Sequence, residues 1–406
     1  MYKLKKQILF LFVISYVINA MNSWVFKFIV PLVLYAETQS LQMMTTSYGL
    51  LFTPNIISPL LANIVEKGKG KKRSLLVLNT LGFLLCLSGF ILFRNDFNNT
   101  IFLAFVFSLS CIMTLFQTII HSIIKNVFHD NIAIEQTSQK IAFIDSLFPA
   151  IGPLIGALIL NNSDYNYSFL IIGMTYPFSF TMIYLLRIED QKTAIKEKFI
   201  SKCAKGFKLI KNEPFISFLM SRFFLSNIAL HGFQSVLTFY LIDKFHLTDI
   251  GLGFFFAVAA IGLTIGLKLG KYIYKNKTNK WYVISVSGII CSLCLIVMPL
   301  TDSIIVADLA WIVVMTLSSI NLTVFYTERQ THFQQNDSTS VIAASYVIIY
   351  SAIPLGTFVS FIFSQHFNAN ETMLIFGAYL LFIGMYFLFL SISKNAKLNS
   401  TSNSPR

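Results

Sequence analysis

Residues 141–160 read IAFIDSLFPAIGPLIGALIL, and what that stretch contains decides the fold. It is one unbroken apolar run of about 20 residues, the length an α-helix needs to cross a bilayer core. Within it lie one carboxylate, Asp145, two prolines, Pro149 and Pro153, and two glycines, Gly152 and Gly156. A helix that faces only lipid has no use for these residues. At about 100° per residue, Asp145, Pro149, Gly152 and Gly156 fall on one narrow stripe. Small residues on a stripe let a second helix approach closely, and each proline removes an N–H from the backbone ladder there. The stretch therefore predicts a membrane-spanning helix with a contact face that carries an acid.

Runs of this length recur through the chain. Hydrophobic residues make up 55% and charged residues 12% of it, which predicts an all-α polytopic membrane protein. Measured against the bilayer, the spans are 8–35, 45–65, 74–93, 100–124, 141–160, 168–187, 214–241, 251–272, 281–300, 304–326, 341–364 and 371–393. The one long polar stretch between spans divides them into a six-helix bundle at 1–187 and another at 214–393. The linker at 188–213 interleaves basic and apolar residues, as a helix on the anionic inner leaflet would, and 394–406 is a tail.

The net charge of +13 is explained by placement. Lys3, Lys5 and Lys6 precede the first span, Lys67 to Arg73 follow the second, further basic residues follow the sixth, and Lys271 to Lys280 follow the eighth. Basic loops on alternate sides put both termini in the cytoplasm of a cell-membrane protein, so the charge sets topology and implies no nucleic-acid partner. The first apolar run is too long for a signal peptide and reads as an uncleaved span. Cys291 and Cys294, without a second pair, read as packing residues, not a metal site.

Gly152-Pro153-x-x-Gly156-Ala157 resembles the G-P-x-x-G-G motif in the fifth helix of major facilitator superfamily exporters. Residues 62–73, ANIVEKGKGKKR, resemble that family's G-x-x-x-D-R-x-G-R-K loop, with Ala62 for the glycine and Glu66 for the aspartate. Residues 22–35 resemble the first helix of its siderophore- and macrolide-exporting branch. The resemblance implies the major-facilitator fold, two six-helix bundles related as parallel repeats. It also implies a gating and interface set: Glu66 anchoring its turn, Pro149, Gly152, Pro153 and Gly156 on span 5, and Gly262 and Gly266 on span 8, which neighbours span 5 across the halves. These exporters often carry an arginine in the fourth helix, and this chain has none.

Polar stripes fall on every third span, where the resemblance implies a central cavity. Span 1 carries Ser15, Asn19 and Asn22, with Lys27 deep in the run; span 4 carries Ser110, Thr114, Gln117 and His121. Span 7 carries Asn227, His231, Gln234 and Thr238, with Arg222 off the stripe, and span 10 carries Asp308, Thr316, Ser319 and Thr323. With Tyr346 and Tyr350 of span 11, the substrate-binding candidates are Asn19, Asn22, Lys27, Gln117, His121, Arg222, Asn227, His231, Gln234, Thr323, Tyr346 and Tyr350. Several have a plainer reading. Lys27 can snorkel, His121 can be a packing residue, and Arg222 can reach back to the cytoplasmic surface.

The chain carries no G-x-x-x-x-G-K-[ST] phosphate loop, no paired catalytic acids and no zinc-ligand spacing. The expectation is a non-enzyme without cofactors, a monomer whose partners are a small-molecule substrate, protons and membrane lipid. The leading function is proton-coupled export of an amphipathic or anionic molecule, siderophore- or metallophore-like, with Asp145 as the coupling acid. Multidrug or macrolide efflux is the alternative, followed by a non-transporting sensor on a transporter scaffold.

Overall fold

The computed structural model describes residues 2–58, 70–94, 97–127, 131–186, 199–275, 280–333 and 335–402. Glu66, the expected anchor of the loop after span 2, lies outside the described residues. The main helices are α1 (Tyr2–Thr38), α2 (Leu41–Phe52), α3 (Lys71–Leu92), α4 (Asn99–Ser122), α5 (Asn131–Asn162) and α6 (Tyr165–Leu185). After a linker helix (Phe199–Asn212) come α7 (Pro214–Phe245), α8 (Asp249–Lys275), α9 (Lys280–Leu300), α10 (Ile304–Thr331), α11 (Gln335–Phe363) and α12 (Ala369–Ser402). Among the described residues ten helices are long and apolar enough to cross a membrane, and Leu147–Asn162 is a shorter apolar helix. The chain is a multi-pass membrane protein.

Local chemistry explains where helices begin. Asn98 caps α4 by accepting from the N–H groups of Thr100 and Ile101, satisfying donors the first turn leaves open. At α12, Asn368 accepts from the N–H of Glu371, which accepts in return from the N–H of Asn368, a reciprocal capping box. Gly70 starts α3 at φ 76°, a backbone conformation that a side chain resists.

Two compact units are formed, one from Met1–Phe199 with Leu247–Ala257, the other from Ile200–His246 with Val258–Arg406. Within the first, α1 packs on α5 and α6, and α3 packs on α6 and α4; within the second, α7 packs on α11 and α12, and α9 on α12 and α10. The pairing repeats with an offset of six helices. A lysine at the head of the third helix of each unit repeats as well: Lys71 donates to the Ser122 carbonyl ending α4, and Lys280 pairs with Glu328 near the end of α10. Cations at helix C-termini offset the carbonyl dipoles there.

The linker helix docks on its own unit. Cys203 and Ile210 are buried, and a Cβ added at Gly206 would run into the Ser340 carbonyl and the Ala344 side chain of α11. Lys205 pairs with Asp337 at 2.8 Å and His332 with Glu213 at 3.0 Å, while Ile200 and Phe207 stay exposed. Burial pushes the Cys203 thiol up from its ordinary range, so little thiolate is present at neutral pH. Maleimide labelling at Cys203 should therefore be slow and rise about tenfold per pH unit below that raised value. Gly206→Val should pry the helix loose and speed labelling at fixed pH.

Candidate functional site

The acid stripe of α5 meets α1. A Cβ at Gly152 would collide with Cβ of Trp24, and one at Gly156 would lie 2.7 Å from the Phe28 ring. Glycine is required there because the main chain and Cβ of Trp24 and the ring of Phe28 leave no room for a side chain at the point of closest approach. Trp24 and Phe28 belong to the same unit as the stripe. Gly253 of α8 approaches α5: its added Cβ would lie 2.8 Å from Ala157 Cβ and 3.2 Å from the Pro153 carbonyl. Gly262 and Gly266 pack closely on α10, at Ile312, Thr316 and Ser319. Four-residue spacing identifies a smooth face without saying which helix lies on it.

Two turns before Gly152 the stripe reaches Asp145. Tyr16 of α1 donates its hydroxyl proton to Asp145 Oδ1 at 2.5 Å and lies 3.2 Å from Nε2 of His121 on α4. The Tyr16 and His121 rings meet edge to face at 5.4 Å. A phenol has one proton to give. With that proton on Asp145, the bond to His121 requires Nε2–H as the donor, and the three groups form a directed chain His121–Tyr16–Asp145. When His121 is the imidazolium, protonated at both ring nitrogens, a proton leaving Nε2 for the phenol oxygen, as the phenol proton leaves for the carboxylate, leaves His121 and Asp145 both neutral without ionising Tyr16. Tyr16 is 1% exposed, whereas Asp145 and His121 lie at the surface of the unit, so the chain is closed at its centre and open at both ends. Pro149 lies four residues after Asp145 and has no N–H, so the Asp145 carbonyl loses its helical partner and α5 is loosened at the acid. Lys27 lies within electrostatic reach.

The other candidates separate by helix face. Asn19 donates to Ser179 Oγ at 2.7 Å and Asn22 to Thr175 Oγ1 at 2.6 Å, so both sit buried against α6. A buried amide needs partners, and α6 supplies them; these two do not line an open cleft. Thr323 packs on Gly270 and returns its hydroxyl to the Ser319 carbonyl. His231 hydrogen-bonds Gln234 one turn on, Asn227 and Gln117 are half-buried, and Tyr346 stacks on Tyr350 at 5.6 Å.

Arg222 is 2% exposed and points at α9, where an added Cβ on Gly288 would meet its guanidinium. Among the described residues its Nε has no hydrogen-bond partner. A buried charge without a partner opposes folding, so Arg222→Met should raise the melting temperature of the purified protein.

Tyr16 escaped the sequence reading because its partners lie 105 and 129 residues away. The available signal was a phenol within a polar face of a membrane span. Arg329 was missed as well. It is 3% exposed, donates to Ser345 at 2.8 Å and sits among the rings of Phe325, Tyr326 and Tyr346 at 4.9–5.5 Å.

The chain matches the family model described as Major Facilitator Superfamily over residues 12–357. Among solved structures it is similar to a bacterial homolog of the human lysosomal transporter Spinster in an inward-facing, unoccupied conformation. That match has a TM-score of 0.72 at 13% identity, covering 95% of this chain and 97% of that one. It is similar also to a D-xylose–proton symporter (TM-score 0.71, 12% identity, 94% and 96% covered). A third similar structure is the nucleoside transporter NupG (0.70, 12%, 95% and 99%). No curated protein matches by sequence.

Proposed function

Because the chain belongs to the Major Facilitator Superfamily, we propose that it is a proton-coupled secondary transporter that exports a small anionic or amphipathic molecule. The observation that carries this reading is the His121–Tyr16–Asp145 chain. Ionisable side chains within membrane spans are costly and mark proton relays or substrate paths. Here three of them are linked in an order that moves one proton. Protonating Asp145 removes a charge beside Lys27 and from the α1–α5 contact, which biases the packing of the helices that carry them. In this reading the two bundles rock about the cargo, and the proton selects which opening is stable. The outward direction and a carboxylate-bearing, metal-chelating cargo rest on the resemblance of residues 22–35 and 152–157 to exporters and on the intramembrane cations.

Comparing the media of cells with and without the protein identifies the exported molecule. Inverted vesicles with an acid interior should then accumulate it, and collapsing the pH gradient should stop accumulation. Accumulation that ignores the gradient would refute the coupling. A tag on residues 394–406 should be reached only from the cytoplasmic side.

A further inference from the structure

The linker helix, Phe199–Asn212, carries more apolar surface than its docking on the second unit uses. At about 100° per residue Cys203, Gly206 and Ile210 share one side, and all three are buried. Ile210 belongs to a core cluster with Ile284 of α9, Val324 and Phe325 of α10, and Val341 and Ala344 of α11. Those residues lie inside the stretches able to cross a membrane, Lys280–Leu300, Ile304–Arg329 and Ser340–Phe363. The docked side therefore sits level with the ends of the spans, at the depth of a bilayer interface. About a quarter-turn around the helix comes a second stripe, Ile200, Ala204, Phe207 and Lys211, all exposed. Ile200 is 73% and Phe207 42% exposed, and Ser201, Lys208 and Asn212 follow on the polar side beyond them. Lys205 is held by Asp337, whereas among the described residues Lys208 and Lys211 form no ion pair.

We propose that this second stripe is a lipid-docking surface, with Ile200 and Phe207 seated at the acyl boundary of the cytoplasmic leaflet and Lys208 and Lys211 on the phosphates of anionic headgroups. A helix lying in the interface plane buries its apolar side about 5–10 Å deep and keeps its lysines at headgroup level. Depth and charge both select lipid. The docked side is level with the span ends, so the stripe beside it meets the bilayer before it meets water, and a soluble partner would have to displace lipid to reach it. Lysine stems are long enough to run from the acyl boundary to the phosphates. A zwitterionic headgroup pairs its phosphate with an ammonium that repels lysine, whereas an anionic leaflet attracts every lysine near its surface. Because Gly206 fits against Ser340 and Ala344 and Lys205 pairs with Asp337, lipid held on the outer stripe also anchors the start of α11 to the leaflet. The surface lies on the linker and α11 and stands whether or not the exporter reading does.

The test places a polarity-sensitive NBD fluorophore on Phe207→Cys in full-length protein whose five native cysteines are alanine. The protein is reassembled in nanodiscs of phosphatidylcholine with a rising share of phosphatidylglycerol. Emission should shift to the blue as that share rises and should be quenched by lipids brominated along the acyl chain. The same fluorophore on Ser201→Cys should stay wet and unquenched in every disc. Lys208→Gln and Lys211→Gln should each raise the phosphatidylglycerol share needed for the half-maximal shift about fivefold. Arginine at both positions should keep it, and molar salt should act as the glutamines do. Glycerol phosphate added to phosphatidylcholine discs, the same phosphate without a bilayer, should change nothing. Thermal melts of each variant in the same discs keep a folding defect apart from a lost surface. Fluorophores equally wet at the two positions would overturn the surface. A blue shift at Phe207→Cys that brominated lipid does not quench would also overturn it, since protein and not lipid would then cover the stripe. A shift indifferent to phosphatidylglycerol, or to both lysines, would overturn the anionic headgroup as the occupant.

Discussion

Asp145→Asn is expected to reduce gradient-driven accumulation in inverted vesicles to the level of vesicles lacking the protein, while exchange of labelled for unlabelled cargo at equal pH continues. The substitution keeps side-chain size, and the asparagine carbonyl can still accept from Tyr16, so the α1–α5 packing survives. What is lost is the group that can take the proton at the end of the His121–Tyr16–Asp145 chain. Tyr16→Phe is the finer test. It keeps the ring against His121 and removes only the hydroxyl. A hydrogen bond to a charged group contributes about 1.5–3 kcal/mol, so coupled transport should fall about 10- to 100-fold. Coupled rates unchanged in both variants would remove the relay from the mechanism.

The second large effect is on stability. Gly152→Ala should lower the melting temperature of the purified protein, with a cost of about 1–3 kcal/mol from overpacking, and Gly152→Val should cost more. The atoms that a Cβ at Gly152 meets are Trp24 Cβ and, at 3.1 Å and 3.3 Å, its backbone carbons. No rotamer change at Trp24 relieves that contact, so α1 and α5 must separate. Gly156→Ala is a built-in comparison, since its added Cβ meets the ring of Phe28 at 2.7 Å, and a ring can tilt. The loss at Gly152 should therefore exceed the loss at Gly156, and Trp24→Ala should fail to rescue Gly152→Ala because Cβ and the backbone remain.

Reading α5 as a span with an acid on its contact face required only the order of residues 141–160, and the structure brings Asp145 to that face. Which helix occupies the face was not legible. Gly152 and Gly156 meet Trp24 and Phe28 of α1, a pairing that the order of residues 141–160 does not name. Likewise, Asn19 and Asn22 form a polar side on α1, yet that side is satisfied by Thr175 and Ser179 on α6. A six-helix repeat faint in the letters is plain in the packing, down to Lys71 and Lys280 at equivalent helix starts.

By itself the sequence determined that the chain is helical and crosses the membrane repeatedly, and where its one acid in the fifth span lies. Those properties follow from apolar run length and local periodicity, which act over about 20 residues. The tertiary structure decided which polar side chains meet, because a helical period fixes the residues that share a side but carries no information about the neighbouring helix. Tyr16 became part of a proton chain only when packing brought α4 and α5 to it, and no local pattern in α1 records that meeting.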